Sequence, residues 1–156
     1  GNFKDSVAFA QETGVFGWSM ATYDLREAVN TTAQEVAPEV DEFEMAGLTK
    51  REGNKVKVSL VEDSPICFEC EYLKTVSFPG NGVMGSAEVV FGRVVGVHIK
   101  DEYIDGKGMI DILKARPIAR MGYYEYTTVD NKFEMKIQGS AKMLAGLEGS
   151  PKKARE

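Results

Sequence analysis

At 156 residues the chain has the length of one domain with one core, since domains usually run to roughly 100–200 residues. Its 43% hydrophobic and 28% charged content matches globular averages and excludes a disordered chain, a collagen-like repeat and a coiled coil. A net charge of −5 leaves no general basic field to hold a phosphate backbone, so no nucleic-acid partner is expected. No apolar run approaches the roughly 18 residues of a membrane span, and Gly1-Asn2-Phe3-Lys4-Asp5 has neither the basic nor the apolar region of a signal peptide. The expectation is a soluble, cytoplasmic protein with no membrane partner. Two cysteines cannot staple a secreted scaffold, and the single histidine means that any imidazole chemistry must involve His98.

In chain order, Phe3, Val7 and Ala10 fall at helical spacing, and the spacing predicts a short amphipathic helix over residues 3–13, stopped by Gly14. Residues 15–21 alternate bulky Phe16, Trp18 and Met20 with small Gly17, Ser19 and Ala21, which is strand periodicity. Leu25 and Val29 restore helical spacing, with Thr22 or Asp24 near the cap and Pro38 as the limit. An acidic helical turn from Asp41 to Ala46 closes at Gly47.

Beyond Leu48 the period becomes two. Val56, Val58 and Leu60 form one strand pattern, and Ile66, Phe68, Cys70 and Tyr72 alternate with Cys67, Glu69 and Glu71 on the more polar side. The longest run covers residues 87–100, where Gly92 and Gly96 suggest a bend or bulge. A helical turn is predicted over 109–113, then a hairpin pairing 124–129 with 132–137 across Asp130-Asn131, then a solvated tail over 149–156. Antiparallel strands with few helices indicate a mainly β barrel or sandwich carrying short helical insertions.

Gly80-Asn81-Gly82-Val83-Met84-Gly85 spells the dinucleotide fingerprint, but that fingerprint needs a helix behind it. Ser86-Ala87-Glu88-Val89-Val90 is a strand pattern, which makes the motif a glycine-rich hairpin loop. Cys67 and Cys70 lie three apart on a strand and point to opposite faces, so neither a metal site nor a redox pair is expected. The acidic residues of 35–44 have no histidine among them and no calcium-loop spacing, and read as a solvated face. His98, between Val97 and Ile99, is either a packed, hydrogen-bonded histidine or a group at a cofactor edge. Arg116, Arg120, Tyr123, Tyr124 and Tyr126 around a Pro-to-Gly turn supply flat faces and fixed cations suited to a planar, anionic ligand, or else a tyrosine-rich hairpin packed on its own core.

Several segments together resemble the flavin reductase-like family of FMN-binding split β-barrels, which includes the reductase components of two-component monooxygenases. Lys4-Asp5-Ser6 with Glu12-Thr13-Gly14-Val15-Phe16 is similar to that family's lysine-aspartate-threonine turn and the helix end after it. Asp41-Glu42-Phe43-Glu44-Met45-Ala46-Gly47-Leu48, Phe68-Glu69-Cys70-Glu71, the segment from Phe91 to Ile99, and Ala119-Arg120-Met121-Gly122 with Tyr126 continue the match in order to about Ile137. The resemblance implies an antiparallel split barrel, usually homodimeric. It implies non-covalent FMN and NAD(P)H as co-substrate, with electrons passed to flavin or to another acceptor by an NAD(P)H:flavin oxidoreductase.

By the same resemblance, Lys4 and Ser6 would contact the flavin phosphate, Asn30 would lie near the ring, and His98 with Tyr123 or Tyr124 would border the nicotinamide, His98 being the catalytic candidate. Position 6 is Ser where the family has Thr, and the match starts about one third into a typical member, past its opening strands and its "N-x-A-P-x-S" turn. The expectation is an N-terminally incomplete domain over 1–148 with weak FMN binding. The alternatives are a non-catalytic FMN-binding electron-transfer module and a degenerate interaction domain without flavin.

Overall fold

The computed structural model describes residues 5–37, 39–82 and 85–135. In order these form α1 (Asp5–Thr13), β1 (Val15–Ser19), α2 (Arg26–Thr31), α3 (Glu42–Met45), β2 (Lys50–Glu52), β3 (Ser59–Val61), β4 (Ile66–Phe78), β5 (Ala87–Ile99), a 3-10 turn (Asp101–Tyr103), α4 (Ile112–Ala115), β6 (Ile118–Arg120) and β7 (Tyr126–Thr128). All strand pairing is antiparallel. The main sheet has the order β1-β4-β5, and the pairs β2-β3 and β6-β7 stand beside it.

β4 is the central strand, and the register explains its two faces. Gly17 and Ser19 of β1 lie opposite Glu69 and Cys67, which in turn lie opposite Gly96 and His98 of β5, so these residues share one face. That face is built small because β3 and the turn before it lie directly on it. A Cβ on Gly17 would come within 2.9 Å of Leu60 Cδ2, and Leu60 is fully buried. Ser19 Oγ accepts from Val61 N at 3.1 Å, and Cys67 Sγ lies 3.4 Å from Ser19 Oγ and 3.6 Å from the Val61 carbonyl. The opposite face carries Phe16, Trp18, Phe68, Cys70, Val94 and Val97. There Trp18 stacks on Phe68 with centroids 4.7 Å apart.

α1 packs on β1 and β4 through buried Val7 and Ala10, and Gln11 Nε2 reaches Thr75 Oγ1 at 3.0 Å. Its end is set by Gly14 at φ 73, a left-handed position that costs glycine nothing. β4 and β5 run for 13 residues each, and their register slips twice, skipping Val95 on β5 and Leu73 on β4. The glycine-rich stretch after Pro79 joins these two antiparallel strands, as a hairpin loop does.

Four sequence expectations are corrected. α2 begins at Arg26 with Leu25, rather than Thr22 or Asp24, at its cap, and Thr22 is buried in a bridge to Pro117. The helical turn expected over 109–113 is displaced to Ile112–Ala115, since Ile110 pairs with Ile104 and Asp111 supplies the cap. β7 pairs with β6: Gly122 and Tyr123, the latter at φ 57, make the turn, and 132–135 form no strand, while residues 136 and 137 of the expected hairpin lie outside the described residues. Cys67 and Glu69, placed on the more polar side of their strand, are both fully buried. Lys4, Pro38 and the tail over 149–156 lie outside the described residues.

Candidate functional site

The most constrained polar group in the sheet is Glu69. Its side chain is 0% exposed, and its two oxygens accept four donors. Oε1 accepts from Asn54 N at 3.0 Å and Oε2 from Lys55 N and Val56 N at 2.7 and 2.9 Å, so three consecutive amides of the turn before β3 converge on one carboxylate. The fourth donor is His98 Nε2, 2.6 Å from Oε1. Register makes this contact possible: Glu69 lies opposite Gly96, and His98, two residues on, is its diagonal neighbour on the same face. Gly96 provides the room, since a Cβ there would fall 2.7 Å from Glu69 Oε1 and 3.0 Å from its carboxyl carbon.

Burial alone would raise the Glu69 pKa. The amides of Val56 and Asn54, the His98 ring and the Lys55 amide outweigh it and hold the group down at about 2. Glu69 is therefore ionised at neutral pH. His98 is the site residue expected from the sequence. Glu69 is the one that sequence reasoning missed, although a glutamate flanked by Phe68 and Cys70 and facing a strand glycine carried the signal.

A second locus lies at the start of α1. Asp5, Ser6 and Phe9 line a cavity of about 910 Å³ with the 32–37 segment and Phe43 of α3. The first-turn amides of a helix have no intrahelical acceptor, and its positive dipole end favours an anion. Glu35, Asp41 and Glu42 also line this cavity. Asp41 is held below the usual carboxylate range, first by its ion pair with Lys50 and then by capping Phe43 N of α3. A smaller apolar cavity of about 260 Å³ lies between β1, α2 and α3, lined by Leu25, Val29 and Phe43 among others.

The remaining expected residues are scattered. Asn30 is exposed on α2 and lines neither cavity. Tyr123 and Tyr124 are 89% and 96% exposed in the β6-β7 turn, so their rings stand in solvent. Of the arginines grouped with them, Arg120 donates to the Tyr123 carbonyl at 3.1 Å, while Arg116 sits over the ring of Tyr23 at 4.1 Å. Lys4 lies outside the described residues. Cys67 and Cys70 are free and buried, and burial pushes the Cys70 thiol up.

A mainly antiparallel β fold with short helices, a helix start opening on a cavity and a lone histidine fixed on the sheet define the class to which the comparisons point. The model of the family "Flavin reductase like domain" matches residues 2–117, and the chain belongs to that family. A relative from Halalkalibacterium halodurans is 31% identical over 135 residues, covering 86% of this chain and 64% of its own. Among solved structures, nitrilotriacetate monooxygenase component B from Bacillus cereus superposes with a TM-score of 0.78 at 28% identity, over 86% of this chain and 66% of that one. An FMN-binding domain of a flavin reductases-like enzyme from Shewanella baltica OS155 gives 0.67 at 13% identity, over 87% and 71%. The fold is thus that of the flavin reductase-like split barrels. The chain spans 64% to 66% of the lengths of the curated relatives it matches. No helix among the described residues is long and apolar enough to cross a membrane.

Proposed function

We propose that this chain is the FMN-binding part of a flavin reductase-like protein that passes electrons from NAD(P)H to flavin or to another acceptor. The observation that carries the reading is the family match over 2–117 combined with Ser6 in the first turn of α1 on the lip of the 910 Å³ cavity. A hydroxyl and unpaired helix amides suit a flavin phosphate, and Phe9 and Phe43 give the cavity aromatic walls for a ring. The carboxylates of Glu35, Asp41 and Glu42 repel a phosphate, so the anion belongs at the helix start, beside Lys4, rather than deeper in the cavity.

When bound, FMN supplies the ring that accepts hydride from the nicotinamide. The chain's own residues would hold and orient it, with Lys4 and Ser6 on the phosphate; the roles that the resemblance gives Asn30 near the ring, and His98 with Tyr123 or Tyr124 on the nicotinamide side, require a ligand that extends beyond the two cavities, which none of these four residues lines. The same reading takes 1–148 as one domain with 149–156 as a tail, and the protein as a cytoplasmic homodimer. A non-catalytic FMN module is the second reading, favoured by the solvent exposure of Tyr123 and Tyr124, which leaves the nicotinamide side open. NADH consumption with FMN present separates the two. Steady oxidation well above free FMN supports the reductase, and a rate equal to free FMN supports the module.

A further inference from the structure

An ionised carboxylate only accepts hydrogen bonds, so the groups that donate to it reveal where protons sit. At Glu69 the three amides of Asn54, Lys55 and Val56 saturate most of the carboxylate, and His98 Nε2 at 2.6 Å is the remaining donor. Among the described residues Nδ1 of that ring has no hydrogen-bond partner, and the side chain keeps 14% of its surface open.

We propose that Glu69 is a positioning residue that holds the neutral form of the His98 ring as the Nε2–H tautomer, so that in that form Nδ1 is the acceptor for an amide-type N–H donor on the bound ligand. Two groups share that chemistry, the carboxamide of a nicotinamide and the imide of a flavin ring. The ligand half of the inference rests on the flavin reading above; the tautomer half stands without it. Neither backbone strain nor a metal is needed, only a buried carboxylate whose other donors are main-chain amides that have no proton to exchange with the ring.

Because His98 is the sole histidine, long-range proton–nitrogen NMR of the 15N-labelled chain gives a single imidazole pattern. At a pH where the ring is neutral, the expected result is a pyrrole-type shift at Nε2 and a pyridine-type shift at Nδ1. A wild-type ring in the Nδ1–H form overturns the proposal. In Glu69→Gln the carboxamide oxygen keeps two loop amides and its NH2 faces Nε2, so the tautomer is expected to move towards Nδ1–H. A folded Glu69→Gln chain with an unchanged tautomer also overturns it, and if that variant does not fold the wild-type spectrum decides.

FMN and NADH are then added separately, with binding followed by their own fluorescence. The expected result is that one of them moves the Nδ1 resonance to lower shift while Nε2 holds, which also identifies the donor. Binding that leaves Nδ1 unmoved overturns the ligand half. If neither binds, the flavin reading fails and the tautomer result stands on its own.

Discussion

A fully buried carboxylate persists only where its donors outweigh the cost of leaving water, and at Glu69 three amides and one imidazole do so. The consequence is a pH dependence of stability with a definite sign. Glu69 has a folded-state pKa of about 2 against an ordinary value of 4.5, so its contribution is complete above pH 4.5 and is lost as pH falls towards 2. Urea midpoints measured across that window are expected to fall steeply for the wild type and less steeply for Glu69→Gln. Equal slopes would mean that the carboxylate is not ionised in the fold. Gly96 makes the same point from the other strand. In Gly96→Ala the methyl meets a carboxylate that four donors prevent from moving, and a loss of about 1–3 kcal/mol is expected in thermal or urea unfolding.

At the scale of elements, α1 ends at Gly14 and α3 starts at Asp41, as glycine stops and aspartate caps do, and these were legible because both signals are local. The alternation of β1 into a bulky and a small face was legible for the same reason. The outer half of β4 was not. The skipped Leu73 shifts the period-two phase of the strand, so the pattern that ends at Tyr72 in the sequence continues to Phe78 in the sheet. The burial of Glu69 was hidden for a different reason. Its partners Asn54, Lys55 and Val56 lie 13 to 15 residues away in sequence, and a polar letter in an alternating strand looks solvated until the loop that covers it is known.

The glycines of β5 were read correctly as marks of irregular pairing, and the structure adds what they make room for. A Cβ on Gly92 would run into the ring of Phe16, and Gly92→Ala is therefore expected to destabilise by about 1–3 kcal/mol, read as a lower Tm. An unchanged Tm would show that Phe16 can move aside and that this close approach carries little of the packing.

For the whole molecule, the main sheet presents one covered and one open face. Trp18, Val94 and Val97 are 41%, 48% and 56% exposed on the open one, and β1 and β5 are its edges among the described residues. Apolar surface beside strand edges that are unpaired among the described residues is where the proposed homodimer would form, with a second copy as the expected partner. Light scattering is expected to give a dimer that Val94→Glu with Val97→Glu dissociates. A monomer at roughly 100 µM, at which a complex with micromolar Kd would be mostly formed, would contradict it.

The candidate site was legible in outline only. Ser6 lands on a cavity and His98 on a fixed hydrogen bond, but Asn30 is exposed on α2 while Tyr123 and Tyr124 stand in the β6-β7 turn, and no local pattern ties the two places together. Titration with FMN, followed by quenching of flavin fluorescence, tests whether the start of α1 holds a flavin phosphate. Saturable quenching is expected in the range of roughly micromolar to millimolar, weakened about fivefold to tenfold by Ser6→Ala as one phosphate hydrogen bond is lost. A signal that stays flat to roughly millimolar FMN, or binding that Ser6→Ala leaves untouched, would contradict it.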